Sequence, residues 1–212
     1  MSERGSLPAA YFAEKYAADP DPWRFASSDY EARKYAATIA ALPRARFASG
    51  LEAGCSIGVL TAMLAQRCDA LLGFDVVEAA LAQARARNAD NPQVRIEHRS
   101  LPQDWPDGAF DLIVFSEVLY YLDEADLRAV VERVRTALLP GGAVVLVHWL
   151  GPTDYPLTGD AATELLTSAL EDVCDVTRSE RQPDYRLDVL VRRPAAPAQS
   201  AARREPPGSA GR

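Results

Sequence analysis

Hydrophobic positions along this chain follow two periods that alternate. Leu112-Ile113-Val114-Phe115, inside 110–116, is an unbroken apolar run, as in a strand covered on both faces. Residues 47–53, 70–75 and 143–150 read as further strands, and 94–98 as one by alternation. Between them the spacing turns helical. Leu127, Val130, Val131, Val134 and Leu138 form one stripe over 123–138, which Pro140-Gly141-Gly142 is expected to stop. Helices are also predicted over 59–67, over 77–88 with Leu81 and Ala84 on one face, and over 160–170 with Asp160 as its cap. Residues 173–178 and 186–191 read as a closing antiparallel pair.

Ahead of this alternation, 7–42 predicts a helical cap. Pro20, Pro22 and Trp23 divide it, and its second piece begins near Ser27-Ser28-Asp29 with Glu31 in the first turn. Tyr35, Ile39 and Leu42 then recur at helical spacing. The whole predicts an α/β fold: a doubly wound, mostly parallel, seven-stranded Rossmann-like sheet with helices on both faces and a ligand cleft at the strand carboxyl ends. One domain is expected over 7–193, with 7–42 as cap and 43–193 as core. Residues 1–6 and the Pro-, Ala- and Arg-rich 194–212 are expected to be disordered.

The chain's 212 residues suit one full core, and a net charge of −7 disfavours a nucleic-acid partner. No apolar run is long enough to span a bilayer, and Met1–Ser6 lacks the apolar core of a signal peptide, so a cytoplasmic protein without a membrane partner is expected. Cys55, Cys68 and Cys174 are too few and too dispersed for a disulfide framework. Together with His98 and His148, and without H-E-x-x-H or C-x-x-C, they predict no dedicated metal site.

The most informative stretch is Gly50-Leu51-Glu52-Ala53-Gly54-Cys55-Ser56-Ile57-Gly58-Val59-Leu60, followed by Leu71-Leu72-Gly73-Phe74-Asp75. Glycine lets backbone approach a ligand closely, and an acid ending the second strand can accept both hydroxyls of a ribose. The pair therefore predicts a nucleoside-bearing cofactor across the strand ends. A dinucleotide fingerprint needs glycines where Gly54, Ser56 and Val59 stand; two are missing, which disfavours a nicotinamide cofactor.

The pattern acid-x-Gly-x-small-x-Gly instead resembles motif I of class I S-adenosylmethionine (SAM) methyltransferases, with Ser56 departing from the middle glycine. Residues from Phe110-Asp111-Leu112 to Tyr120-Tyr121-Leu122 resemble motif IV, and Leu138-Leu139-Pro140-Gly141-Gly142 resembles the loop before strand five. Asp21-Pro22-Trp23, Tyr30-Glu31-Ala32-Arg33-Lys34, Gly54-Cys55-Ser56-Ile57-Gly58 and Ser116-Glu117-Val118-Leu119-Tyr120-Tyr121 together resemble the nodulation protein S (NodS-like) group. The resemblance implies SAM as cofactor, S-adenosyl-L-homocysteine as product, and no metal. It further implies N-methylation of a free amine on a deacetylated chitooligosaccharide or other amino sugar. The alternatives are a small-molecule O- or N-methyltransferase of secondary metabolism, or a non-catalytic SAM-binding protein. On this reading Glu52, Gly54, Cys55 and Gly58 face the methionine part and Asp75 holds the ribose. Ser100-Leu101 takes the adenine place, where the usual acid is absent. Ser116 and Tyr121 edge the pocket, Trp23 is a lid or else a core plug for the cap, and Arg33 or Lys34 pairs with the SAM carboxylate or both are solvated helix charges.

Methyl transfer is an in-line displacement, so alignment dominates, and an amine acceptor must shed its proton. Glu117, just past strand four, can bind an ammonium or accept a proton; otherwise it is a solvated or capping glutamate. His148, ending strand five, is the base candidate because histidine titrates near neutrality. Tyr120 is the third candidate in the transfer site, and His98 is read as structural. Tyr155 and Asp160 line an acceptor pocket or belong to a linker.

Overall fold

Five of the apolar runs lie side by side and parallel: Gly50–Ala53 (β1), Leu71–Asp75 (β2), Val94–His98 (β3), Phe110–Ser116 (β4) and Leu138–Trp149 (β5). Cys174–Arg181 (β6) and Tyr185–Arg192 (β7) complete the sheet, whose order is β3-β2-β1-β4-β5-β7-β6. A short hairpin joins the last two strands, so β7 runs antiparallel to both β5 and β6 and the sheet is mixed at that edge. This computed structural model describes residues 5–194 of the chain. The tail 195–212 and residues 1–4, expected to be disordered, lie outside the described residues.

Helices Ala9–Ala18 (α1), Asp29–Ala41 (α2), Val59–Ala65 (α3), Glu78–Arg87 (α4), Glu124–Ala137 (α5) and Gly159–Ala169 (α6) cover the sheet. The side-chain alternation of β4 shows why its sequence is apolar throughout. Ile113 and Phe115 enter a core with α5 and α6, whereas Leu112 and Val114 enter a second core with α2 and α3. The stripe Leu127, Val130, Val131 and Val134 is the buried face of α5.

The sequence reading is corrected at several boundaries. β5 starts at Leu138, directly after α5, so Pro140-Gly141-Gly142 lies within the strand. The pairing absorbs it by a register shift between Phe110 and Leu112. α6 is capped by Thr158, whose hydroxyl accepts from Ala161 N at 3.1 Å. Asp160 instead pairs with Arg181 and Arg186 at 2.6 and 2.8 Å. Ser6, expected in a disordered N-terminus, is held in place: its hydroxyl donates to Asp126 at 2.5 Å and accepts from Asp123 N at 3.0 Å.

The segment between α1 and α2 folds back on itself. The Asp21 carboxylate accepts from Phe25 N and Ala26 N at 2.8 and 2.9 Å, and the rings of Trp23 and Phe25 stack at 5.7 Å.

Candidate functional site

A cavity of about 310 Å³ opens at the carboxyl ends of the parallel strands. Gly54, Ser56, Asp75, Ser100, Leu101 and Ser116 line its sheet side. Phe12, Tyr16, Trp23 and Phe25 from the N-terminal segment line the other. A smaller recess adjoins it, walled by Tyr35, Glu52 and Cys55, and the two share Phe25, Gly54, Ser56, Ser116 and Glu117.

The turn after β1 is built from left-handed residues: Gly54 at φ +75°, Ser56 at +50° and Gly58 at +76°. Ser56 thus takes the conformation that glycine adopts freely, at a cost of about 1 kcal/mol for a residue with a Cβ. Its hydroxyl bonds to Tyr16 OH, which ties the turn to α1. Gly58 serves packing: a Cβ there would sit 2.8 Å from Ala84 Cα in α4. The turn also presents Ser56 N to Asp75 Oδ2 at 3.0 Å, while Val77 N donates to Oδ1 at 3.1 Å. Two backbone amides therefore aim the Asp75 carboxylate while leaving lone pairs for a diol. Burial raises the Asp75 pKa, and those backbone bonds oppose the rise.

Glu52 lies deeper, 2% exposed, and accepts from Thr61 Oγ1 at 2.6 Å. Burial pushes its pKa up to about 8, so it is protonated at neutral pH. Cys55 is a buried free thiol in the recess wall, also pushed up by burial.

Glu117 stands at the junction of cavity and recess with a left-handed backbone, φ +57°. Its oxygens already hold three donors: Lys34 Nζ at 2.5 Å, Tyr120 OH at 2.6 Å and Trp149 N at 2.9 Å. Strain of this kind persists where surrounding contacts enforce it.

The base assignment to His148 is overturned by its placement. The ring is 0% exposed and lines neither cavity nor recess. Its Nε2 accepts from Leu119 N at 3.3 Å, so the neutral ring carries its proton on Nδ1, which faces Thr163 Oγ1 at 3.3 Å. Burial pushes its pKa down to about 4. Tyr120 is likewise withdrawn, 4% exposed, and supports Glu117 from behind, whereas Tyr121 reaches the cavity and packs edge-on to Phe12 at 4.8 Å.

Arg33 is also corrected. It lies on the exposed side of α2, while Glu31, Lys34, Tyr35 and Thr38 share the buried side by helical spacing. Tyr155 stacks on Tyr120 at 5.2 Å, and Asp160, in α6, is turned to Arg181 of β6 and Arg186 of β7 and lines neither cavity nor recess. The sequence reading passed over Phe12, Tyr16, Phe25, Arg99, Gln103, Val118 and Asp126, all of which line the cavity. Phe12 and Tyr16 carried a signal, since aromatics four apart share one helix face. Among the described residues no group of His, Cys, Asp and Glu converges as a metal cage, and no helix is long and apolar enough to cross a membrane.

The family model of Nodulation protein S (NodS) matches residues 10–148, from α1 to the end of β5. The chain belongs to the NodS family. Nodulation protein S of Rhizobium tropici is 37% identical over 127 residues, 59% of this chain and 53% of that protein. The Sinorhizobium fredii counterpart is 33% identical over 127 residues, 59% of each. The chain thus spans little more than half the length of these NodS relatives. Among solved structures, a Pseudomonas syringae protein provisionally described as a methyltransferase is 42% identical, with TM-score 0.69 over 77% of this chain and 99% of that one. N-methyltransferase NodS from Bradyrhizobium japonicum WM9, solved with S-adenosyl-L-homocysteine, shares the fold at TM-score 0.74 and 24% identity, over 87% of this chain and 98% of that one. The fold of this NodS-family chain is therefore that of the class I methyltransferases.

Proposed function

We propose that this protein transfers a methyl group from SAM to the amine of an amino sugar, such as a deacetylated chitooligosaccharide. The observation that carries the cofactor half is Asp75, aimed by two backbone amides into a cavity bounded by the motif I turn. Bound there, SAM supplies a methyl group activated by a sulfonium. Asp75 would accept the ribose hydroxyls, the Gly54–Ser56 turn and Ser116 would flank the amino-acid end, and Leu101 would face the adenine. Trp23 and Phe25 would exclude water from the far side. The acceptor half is supported by family membership and by the aromatic wall of Tyr121, Phe12 and Trp23, which suits a sugar face.

The chain's residues contribute chiefly alignment. His148 is sealed away and Glu117 already holds three donors, so the amine is best served by arriving neutral. Supplying labelled SAM with chitooligosaccharides bearing either a free terminal amine or only acetylated amines tests the reading. Label on the free-amine sugar alone is expected. Label on neither, by protein that binds SAM, would transfer the acceptor to another small-molecule class.

A further inference from the structure

Behind the cavity wall three charged side chains are buried together. Lys34, 2% exposed, donates to Glu31 Oε1 at 2.9 Å and to Glu117 Oε1 at 2.5 Å, and lies 5.2 Å from the centre of the Tyr30 ring. Glu31 is 7% exposed, and its Oε2 and the Tyr30 hydroxyl are buried without a hydrogen-bond partner. Burial raises the Glu31 pKa and Lys34 opposes the rise; with both carboxylates ionised, the one shared ammonium leaves a single negative charge. A buried charge is costly unless something opposite in sign faces it. Arg186, on β7 beside β5, is taken up by Asp160 and Asp188.

Of the three, Glu117 alone reaches the cavity, at its junction with the recess and beside Gly54, Ser56 and Ser116. The uncompensated charge therefore faces the ligand space. Glu52 does not duplicate it, because it keeps its proton below about pH 8. Asp75 also lines the cavity, held by Ser56 N and Val77 N, and is common to every variant compared below.

We propose that the Glu31–Lys34–Glu117 cluster discriminates by charge between the cationic sulfonium donor and its neutral thioether product. Lys34 is a positioning residue that fixes Glu117, and Glu31 cancels the charge Lys34 brings, so that Glu117 still presents a negative field. After transfer the sulfur is neutral and that attraction ends, which favours product release. This inference rests on the cofactor reading above.

The test is calorimetric titration of the full chain with SAM and with S-adenosyl-L-homocysteine, separately, in variants that change the charge count. Glu31→Gln keeps shape but lets Lys34 cancel Glu117, and should lower the ratio of SAM to homocysteine-product affinity at least about threefold. Glu31→Gln combined with Lys34→Met restores one net negative charge and should raise the ratio again from its value in Glu31→Gln alone. Arg33→Gln changes net charge on the exposed side of α2 and should also leave the ratio alone. An unchanged ratio in Glu31→Gln, with both ligands bound, overturns this inference and leaves the cofactor reading standing. Wild-type protein that binds neither ligand overturns both.

Discussion

Asp75 and His148 show how differently two ionisable side chains at strand ends can be employed. Asp75 accepts from two backbone amides and also lines a cavity, so its loss removes contacts of the fold together with those made on binding. Asp75→Ala is expected to weaken SAM binding by roughly 10- to 100-fold, the scale of charge-assisted hydrogen bonds, and to cost about 1–3 kcal/mol of stability by leaving those amides unpaired. His148→Gln should share the stability loss without the loss of binding. It disturbs the bonds to Leu119 N and Thr163 Oγ1 and should cost about 1–3 kcal/mol of stability in denaturant unfolding, while SAM affinity stays within a few-fold of wild type. A drop in affinity comparable to that of Asp75→Ala would restore a ligand role to His148.

At the scale of elements, the site depends on how closely α3 and α4 approach each other beneath the motif I turn. Gly58 caps α3 in a left-handed conformation, and an added Cβ would meet Ala84 Cα and Asn88 Nδ2, both at 2.8 Å. The Asn88 amide also donates to Gly58 O at 3.2 Å, so the contact cannot open without losing that bond. Gly58→Ala should therefore destabilise the fold by about 2–4 kcal/mol, combining left-handed strain with overpacking. It should weaken SAM binding as well, because moving the turn shifts Ser56 N away from Asp75. Unfolding curves and titrations on the same preparation would check both.

For the molecule as a whole, two buried groups set opposing dependences of stability on pH. Glu52 holds its proton more tightly when folded, its pKa rising from 4.5 to about 8, so its contribution is full below pH 4.5 and is lost as pH climbs to about 8. His148 holds its proton less tightly when folded, falling from 6.5 to about 4, so stability declines as pH drops through that window. Between pH 4.5 and 6.5 the slopes oppose each other; above 6.5 that of His148 fades and that of Glu52 dominates. Unfolding free energy should fall by about 1 kcal/mol from pH 6.5 to 8, and Glu52→Gln should flatten that limb while still accepting from Thr61.

Much of this was legible in one dimension because it depends on local periodicity and on backbone constraints. The unbroken run in β4, the stripe of α5 and the acid–glycine turn ending in Asp75 each follow from what a doubly covered strand, an amphipathic helix and a close backbone approach require. Burial direction was not legible. Arg33 and Lys34 are adjacent and equally basic, yet helical phase sends one to solvent and the other between two carboxylates. His148 ends a strand where a base would suit, but strand alternation turns it away from the cavity and the turn at Leu119–Tyr121 covers it. Sequence by itself determined the sheet, the glycine turn after β1 and the acid that ends β2. Only the tertiary packing decided which charges face the ligand, because that depends on the angle at which α1 and α2 meet strand ends distant from them in the chain.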